Sequence, residues 1–264
     1  MSVYLHDIPL EQAWQRWLQA LEESAISAVL GKETLALDED LVDRVLAESI
    51  WAKICSPHYH ASAMDGFAIV AEDTVSALPS QPVRVMLGKR AKYVDTGDPL
   101  PDFANAVIPI ENVEPLDEFD QITSDIRKPH SILVRQSIAP WSSVRLMGED
   151  IVATQLVLSA GQRIRPVDLG AIAASGHQEV MVAIKPRVAI IPTGTELVQV
   201  GSELHAGDII EFNSMVLAGQ VHQWGGTATR SPIVPDEFQK IMKVVKQAAE
   251  NADLIIINAG SSAG

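Results

Sequence analysis

Four turns of the sequence each carry an acidic or hydroxyl side chain next to glycine or another small residue. The segments are SAMDGFAI with Asp65, DTGDPLP with Thr96, MGEDI with Asp150 and IPTGTELV with Glu196. Carboxylate oxygens in such a set can hold Mg²⁺, and the ion can bridge them to the phosphate groups of a ligand. An Asp-Gly pair is also common in ordinary turns, so at position 65 a purely structural role is the alternative.

Glu196 follows an apolar run, residues 187–192, that predicts a buried strand ending at Thr193 and Gly194. Residues at the carboxyl end of a strand in an open α/β sheet face the ligand crevice. Glu196 is therefore the strongest candidate on physical grounds alone, with a solvated loop glutamate as the alternative. Asp236 stands just before the next helical pattern, where an N-cap is its simplest role.

The last residues read LIIINAGSSAG, and their first part, Leu254–Ile257, predicts a buried parallel strand. The small residues that follow supply amides and hydroxyls without bulk, which suits a phosphate group. A tight turn accounts for the loop nearly as well. The candidate phosphate contacts are Gly260, Ser261, Ser262 and Gly264.

His58 and His60 form an H-x-H pair. On a strand this spacing puts both rings on one face, an arrangement that can bind a metal ion. No third ligand stands at a suitable spacing, so the metal interpretation of this pair is the weaker one.

Three regions of different pattern must position these residues. Near the N-terminus, the spacing of Trp14, Trp17 and Leu18 predicts a helix whose apolar stripe lies in the core or in an interface, and DEDLVDRVLAES predicts a second short helix. From Pro57 to Asp150, short apolar runs separated by turn residues predict a small β domain.

From Pro186 onward, strand and helix patterns alternate as β-α-β-α-β, the beginning of a doubly wound sheet. Asn213 is predicted to cap the first of these helices, and apolar spacing predicts that the second buries Phe238. The predicted fold class is a multidomain mixture of α/β and β structure.

Composition excludes several classes of protein. The chain of 264 residues has a formal net charge of −14, which argues against nucleic acid and anionic membranes as partners. No apolar stretch approaches the length of a membrane span, and the N-terminus lacks the pattern of a signal peptide. Cys55 is the single cysteine, so no internal disulfide can form. A cytoplasmic protein is therefore expected.

The motifs occur in one order: SAMDGFAI, TGDPLP, NAVIPIE, GEDI, PRVAIIPTGTELV, GDIIEFNS and ADLIIINAGSSAG. Their order and spacing resemble the molybdopterin molybdenumtransferase family, which comprises MoeA and the gephyrin E domain. The resemblance implies an enzyme that inserts molybdenum from molybdate into adenylylated molybdopterin, with Mg²⁺ and with release of AMP.

The resemblance also implies roles for single residues. It assigns catalysis to Asp65, Thr96, Asp150, Glu196 and Asp236, and it makes the last two the ligands of Mg²⁺. It assigns contacts with the substrate to the terminal loop and to a further set of residues, namely Ser62, Thr193, Gly194, Asn213 and Ser214.

The fold that the resemblance implies has three parts. An elongated N-terminal dimerisation domain takes in residues 1–56 and 151–182, a small β domain is inserted at 57–150, and a truncated doubly wound three-layer α/β/α (MogA-like) domain begins at 183. The resemblance implies a homodimer, with molybdopterin adenylyltransferase as a further partner.

Departures from the family pattern leave a second interpretation open. His60 and Ala61 stand where the family usually has an acidic residue and a polar or basic one before SAMDG, and the chain ends inside the α/β domain. We therefore expect that the 264-residue chain does not insert molybdenum by itself. The alternative is a non-catalytic ligand-binding or regulatory module of a longer protein.

Overall fold

The computed structural model describes residues 8–24 and 30–259. Within these residues four α-helices occur, and we number them in chain order: α1 Leu10–Glu23, α2 Pro166–Ala174, α3 Asn213–Gln223 and α4 Phe238–Ala249. None of the helices in the described residues is long and apolar enough to cross a membrane.

The strands of the described residues are also numbered in chain order. They are β1 Lys32–Ala36, β2 Ile50–Trp51, β3 Ala61–Ser62, β4 Gly66–Ile69, β5 Val83–Met86, β6 Ala91–Val94, β7 Ala106–Pro109, β8 Val113–Leu116, β9 Ser131–Val134, β10 Val144–Arg145, β11 Leu156–Leu158, β12 Glu179–Ala183, β13 Arg187–Thr193, β14 Leu197–Val198, β15 Ile209–Ile210, β16 Thr227–Arg230 and β17 Leu254–Ala259.

The chain divides into two compact units. The α/β unit comprises the chain up to Leu35, Leu41–Glu48 and the chain from Met181 onward, and the β unit comprises Ala36–Asp40 and Ser49–Val180. The predicted three-part domain boundaries stay a prediction.

Two three-stranded antiparallel sheets form the main part of the β unit. Their strand orders are β6-β4-β7 and β5-β9-β8. Phe67 of β4 stands opposite Ile108 of β7, and Val85 of β5 stands opposite Ile132 of β9. Successive side chains of a strand point to opposite faces of its sheet. These four side chains lie on faces that are buried in one apolar core. The prediction of β structure in this region is confirmed.

The α/β unit is built on a parallel sheet with the strand order β16-β13-β17. Helix α3 packs on the central strand, where Val188 and Ile190 of β13 contact Val221 of α3 in a buried cluster. The predicted β-α-β-α-β order is confirmed, and so is the buried strand 187–192.

The predicted burial of the last strand is wrong. Leu254–Ile257 lies in the parallel strand β17, but Leu254 is 46% exposed and Ile257 is 51% exposed. Within the described residues β17 pairs only with β13, so it is an edge strand of the sheet. An edge position leaves one side of a strand without a covering neighbour.

The second predicted helix, over DEDLVDRVLAES, is also wrong. The segment begins with a single 3-10 turn, Glu39–Leu41, and Asp43 then adopts a positive φ of 69°. Leu46 forms an antiparallel bridge with Val182 and is 1% exposed. Pairing with a distant strand and burial of Leu46 therefore outweigh the local helical pattern.

Two predicted helix caps are wrong as well. Asn213 is the first residue of α3 instead of its cap, and the carboxylate of Glu211 accepts hydrogen bonds from the Ser214 N–H at 2.7 Å and the Ser214 hydroxyl at 2.6 Å. At α4 the N-cap position is Glu237 and no side chain caps the helix, so Asp236 does not have the capping role.

The apolar stripe of α1 is exposed. Trp14 is 57% exposed and Trp17 is 47% exposed, and their ring centroids are 5.1 Å apart. A core position for these two residues is therefore wrong within the single chain, and their position in an interface stays a prediction. Phe238, predicted to point inward from α4, is exposed too.

Candidate functional site

Asp65 and Thr96 are in direct contact in the β unit. One carboxylate oxygen of Asp65, Oδ1, accepts hydrogen bonds from the Thr96 N–H at 2.7 Å and from the Thr96 hydroxyl at 2.8 Å. Asp65 immediately precedes β4 and Thr96 follows β6, and Gly66 stands opposite Val94 in this antiparallel pair. The strand register therefore brings two residues that are distant in sequence to one end of the sheet.

These contacts lower the pKa of Asp65 below its ordinary value. The largest cause is the hydrogen bond from the Thr96 N–H, followed by the bond from the Thr96 hydroxyl, because both stabilise the charged form. The carboxylate is therefore ionised at neutral pH. Its contribution to stability is present above the ordinary pKa of an aspartate and is lost as the pH falls through the lowered pKa of the folded state.

Replacing Thr96 with valine is expected to raise the pKa of Asp65 toward its ordinary value. The valine removes the hydroxyl donor but keeps the main-chain N–H, so the pKa stays below that of a free aspartate. A carboxyl ¹³C NMR titration measures the change. Thr96→Ser is the matched control, since it keeps both donors and should leave the pKa unaltered. An unchanged pKa in Thr96→Val would show that the hydroxyl contributes nothing.

Arg145 lies beside this pair. In the short antiparallel pair of β3 and β10, Arg145 stands opposite Ala61. Arg145 and Thr96 both line a cavity of about 350 Å³, which we call the Arg145 cavity, with the remaining walls formed by Pro57, Tyr59, Ala61, Ser62, Ala63 and Gly97. Arg145 also donates a hydrogen bond of 2.5 Å to Asp150 Oδ2, so Asp150 is held at the same site.

The Arg145 cavity thus contains a guanidinium, and two acidic residues are hydrogen-bonded to its lining: Asp65 to Thr96 and Asp150 to Arg145. The guanidinium is a planar donor that suits phosphate and other oxyanions, and Asp150 fixes its orientation. Asp65 adds a carboxylate of fixed orientation. Arg145 was not among the residues that the sequence pointed to, since a single arginine in VRLMGED has no distinctive signal.

Ser62 lies in the wall of this cavity but is almost fully buried. Its hydroxyl donates a hydrogen bond to the carbonyl oxygen of Met64 at 2.5 Å. The Gly97 N–H donates to the Ser62 carbonyl oxygen at 2.8 Å. These contacts tie the SAMDG segment to the Thr96 turn, and a direct role for Ser62 in ligand binding stays a prediction.

Glu196 and Asp236 lie on two neighbouring loops of the α/β unit. Thr193, at the end of β13, forms a parallel bridge with Val234, and the Asp236 N–H donates to the Thr195 hydroxyl at 3.4 Å. Glu196 is half-buried and Asp236 is exposed. Both residues therefore stand just beyond the carboxyl end of the central strand, where an open α/β sheet binds ligands.

The donor set of these loops fits Mg²⁺ with a phosphate ligand. In the described residues no three His, Cys, Asp or Glu side chains form a group that could hold a metal ion by themselves. Mg²⁺ in proteins commonly takes one or two carboxylates together with substrate phosphates and water. Two carboxylates on adjoining loops agree with that mode of binding. They are too few to surround the ion with protein ligands alone.

The other predicted contacts of the α/β unit differ in accessibility. Asn213 is exposed at the start of α3. Ser214 is 2% exposed, and its hydroxyl is engaged by Glu211. Thr193 and Gly194 are buried at the end of β13, and the Gly194 N–H donates to the Val234 carbonyl oxygen at 3.0 Å. Gly260, Ser261, Ser262 and Gly264 lie outside the described residues.

The candidate residues fall into two groups, one in each compact unit. Asp65, Thr96 and Asp150 belong to the β unit, whereas Glu196 and Asp236 belong to the α/β unit. Their convergence on one cleft stays a prediction.

Comparisons with known proteins cover nearly the whole chain. Residues 8–176 match the family described as the MoeA N-terminal region (domain I and II). Residues 189–264 match the family described as a probable molybdopterin binding domain.

Individual relatives agree with these matches. Molybdopterin molybdenumtransferase 2 of Mycobacterium tuberculosis is 33% identical over 235 residues, which cover 83% of this chain and 55% of that protein. Molybdopterin molybdenumtransferase of Bacillus subtilis is 30% identical over 241 residues, which cover 86% of this chain and 54% of that protein. The chain thus spans about half the length of these curated relatives.

Two crystal structures of the molybdopterin biosynthesis MoeA protein from Pyrococcus horikoshii are similar to this fold. Their TM-scores are 0.81 and 0.74, at 29% and 31% sequence identity. The similarity covers 97% and 92% of this chain, and 64% and 65% of those chains. The mixed α/β architecture seen here is the one that those proteins have over the same region.

Proposed function

Because this chain belongs to the MoeA family, we propose that it is part of an enzyme that inserts molybdenum from molybdate into adenylylated molybdopterin and releases AMP. One observation carries the proposal: Thr96, which fixes Asp65, and Arg145, which pairs with Asp150, line the same cavity. An ionised carboxylate and a guanidinium of fixed orientation suit a ligand that has both N–H groups and anionic oxygens.

Arg145 binds an oxyanion in this proposal. Its guanidinium is the cationic group of the cavity and a planar donor that matches the geometry of an oxyanion. A phosphate of the adenylylated substrate or a molybdate ion provides the oxygens that it recognises. Asp150 holds the guanidinium in place through the 2.5 Å hydrogen bond.

Asp65 acts as a hydrogen-bond acceptor that orients the substrate or the attacking water. Its lowered pKa makes it a weak base, and an efficient general base has a pKa near the working pH. The Thr96 donors both bind Oδ1, so Oδ2 is the oxygen that accepts from a ligand group in this proposal. The role of Thr96 is to fix that orientation.

Glu196 and Asp236 would hold Mg²⁺ in the α/β unit. When bound, the ion supplies positive charge that offsets the negative charge of the phosphate oxygens. The terminal loop with Gly260, Ser261 and Ser262 contacts the same phosphates in this proposal. Inactivity of the 264-residue chain by itself stays a prediction, as does the partnership with molybdopterin adenylyltransferase.

We also propose that the protein is a homodimer in which α1 takes part. The half-exposed rings of Trp14 and Trp17 form one apolar patch on this helix, and patches of this kind mark interaction surfaces. Light scattering at tens of micromolar is expected to give the mass of a dimer. Trp14→Ala combined with Trp17→Ala should shift the mass toward that of a monomer, and a monomeric wild type would contradict the proposal.

The catalytic proposal is tested by Asp65→Asn in the complete polypeptide that contains this chain. The asparagine can still accept both Thr96 hydrogen bonds through its carbonyl oxygen, but it presents an NH₂ donor where aspartate presents an acceptor. We expect molybdate-dependent AMP release to fall by about 100-fold or more. The release of AMP from adenylylated molybdopterin in the presence of Mg²⁺ is the measurement.

Asp117→Asn is the matched control for this experiment. Asp117 Oδ1 also accepts two main-chain N–H groups in a turn of the β unit, those of Phe119 and Gln121, but unlike Thr96 these partners do not line the Arg145 cavity. Full activity of Asp65→Asn would contradict the assignment of Asp65. A wild-type polypeptide that binds the substrate without releasing AMP would instead favour a non-catalytic binding module.

A further inference from the structure

A second cavity adjoins the Arg145 cavity in the β unit and has a different lining. Its volume is about 450 Å³, and its walls are mainly rings and apolar side chains: His58, Tyr59, His60, Pro99, Leu100, Pro101, Asp102, Ala104, Trp141 and Met147. We call it the aromatic cavity. Tyr59 lines both cavities, and its hydroxyl donates to the Gly97 carbonyl oxygen at 3.2 Å. The two cavities therefore adjoin at Tyr59.

Trp141 is held in this cavity with an unusual backbone conformation. Its φ is +67°, in the left-handed region that bulky residues rarely adopt. The Trp141 N–H donates to the Asn105 carbonyl oxygen at 2.6 Å, and the indole is 47% exposed. Strained residues that the surrounding structure holds in place concentrate at functional sites. A half-exposed ring on such a backbone indicates that the ring itself takes part in ligand binding.

His60 provides a second ring of fixed position. The centroids of the His60 and Trp141 rings are 5.0 Å apart, and their planes are inclined by 45°. His60 Nδ1 accepts the Met147 N–H at 3.0 Å, and its carbonyl oxygen accepts the Leu100 N–H at 2.8 Å. The His60 ring is thus held by a main-chain N–H, and it lies against the indole of Trp141, whose backbone is fixed by the bond to Asn105.

Asp102 adds a carboxylate to this lining of rings and apolar side chains. A pterin ring carries two neighbouring N–H groups, on N3 and on the 2-amino group, that can pair with one carboxylate in a bidentate manner. An adenine ring offers only one such donor next to an acceptor nitrogen. The lining therefore favours a pterin over an adenine.

We propose that the aromatic cavity binds the pterin ring of the ligand, with the ring against Trp141 and His60 and the anionic part in the Arg145 cavity. This inference rests on the proposed function, because it takes the substrate to be a pterin with phosphate groups. Asp102 receives the N–H groups of the pterin edge. Trp141 is a substrate-binding residue in this arrangement, and it has no part in the chemical step.

The experiment uses neopterin, a fluorescent pterin without phosphate, and the 264-residue chain. Stacking on an indole quenches pterin fluorescence, so binding gives a saturable loss of signal. We expect Trp141→Leu to weaken binding by about tenfold or more, because stacking on an aromatic side chain is lost. Trp141→Tyr keeps an aromatic ring and should bind within about threefold of the wild type.

Two further variants separate binding from folding. Trp51→Leu is the matched control, since Trp51 is also in the β unit and is 55% exposed, yet it lies outside the cavity. Trp141→Gly removes the ring, and glycine adopts a positive φ without steric cost. We expect Trp141→Gly to keep a cooperative thermal transition and to lose neopterin binding.

Equal neopterin affinities for the wild type, Trp141→Leu and Trp141→Gly would overturn the proposal. Displacement of neopterin by AMP in a manner that depends on Trp141 would overturn it too, because the ring site would then accept adenine. Neopterin binding that depends on Trp141, in a complete polypeptide that does not release AMP, would support this site while contradicting the proposed enzyme function.

Discussion

Alanine at position 66 is expected to destabilise the β unit by about 3 to 5 kcal/mol. A Cβ on Gly66 would overlap the carbonyl oxygen of Ile108 and would lie 2.9 Å from the carbonyl carbon of that residue. Ile108 belongs to β7, which pairs with β4, so the obstacle is main chain that cannot rotate away. Strands β4 and β7 must separate for the methyl group to fit, and the position of Asp65 depends on that pair.

Hydrogen exchange measured by mass spectrometry can localise this effect. Peptides from β4, β6 and β7 should lose protection in Gly66→Ala, whereas peptides from β13 in the α/β unit should keep it. The same variant should weaken ligand binding at the Arg145 cavity, because Asp65 directly precedes Gly66 and is hydrogen-bonded to Thr96 in the cavity wall.

Gly170→Ala is the matched control in the same unit. Nothing lies within 4 Å of a Cβ added at Gly170, which is in the middle of α2. Alanine is a better helix former than glycine, so this variant should be more stable by up to about 1 kcal/mol. If Gly66→Ala proved as stable as Gly170→Ala, the close approach of β4 and β7 would not explain the glycine.

Ile190→Ala is expected to cost about 3 kcal/mol in the free energy of unfolding of the α/β unit. Ile190 is fully buried in the central strand β13, where it packs with Val188 and Val221. Truncation to alanine removes three carbons from the contact between the sheet and α3 and leaves a cavity. Urea unfolding followed by circular dichroism measures the change.

Ile257→Ala is the corresponding change on an exposed strand. Ile257 belongs to the edge strand β17 and is 51% exposed, so its loss should cost less than about 1 kcal/mol. Similar losses of stability for Ile190→Ala and Ile257→Ala would contradict the description of β13 as the buried centre of this sheet.

The parts of the fold that could be predicted from the sequence are those with a strong local pattern. The run 187–192 is continuous along the chain and ends one residue before the observed end of β13, and α3 begins at Asn213, the residue predicted to precede it. The segment 38–49 shows the limit, because Leu41, Val42, Val45 and Leu46 together follow a helical pattern, yet Leu41 and Leu46 are buried without forming a helix. The bridge from Leu46 to Val182 is a long-range contact that no local window contains.

The predictions of the helix caps are wrong for a related reason. Asn213 is a favourable residue for an N-cap, but the carboxylate of Glu211 accepts the Ser214 N–H and thereby takes over that role. N-cap propensity describes each residue type by itself. The cap that forms at α3 depends on a particular neighbour, the buried side chain of Glu211.

For the candidate site, the sequence identified residues but not their contacts. The turn motifs indicate Asp65 and Thr96 as site residues. Their hydrogen bonds to each other cannot be predicted from those motifs, because they follow from the register of β4 and β6. Arg145 was missed because its significance comes only from the pairing of β10 with β3 and from its bond to Asp150.

The divided α/β unit has a consequence for synthesis of the chain on the ribosome. Leu41–Glu48 belongs to this unit, and the Ala47 N–H donates to the carbonyl oxygen of Met181 while the Ala183 N–H donates to that of Val45. The early segment must therefore wait until all of Ser49–Val180 has been translated. At typical translation speeds the delay is on the order of ten seconds. The nascent chain thus keeps Leu46 without its partner while the β unit is being made, which is a period when a chaperone can bind it.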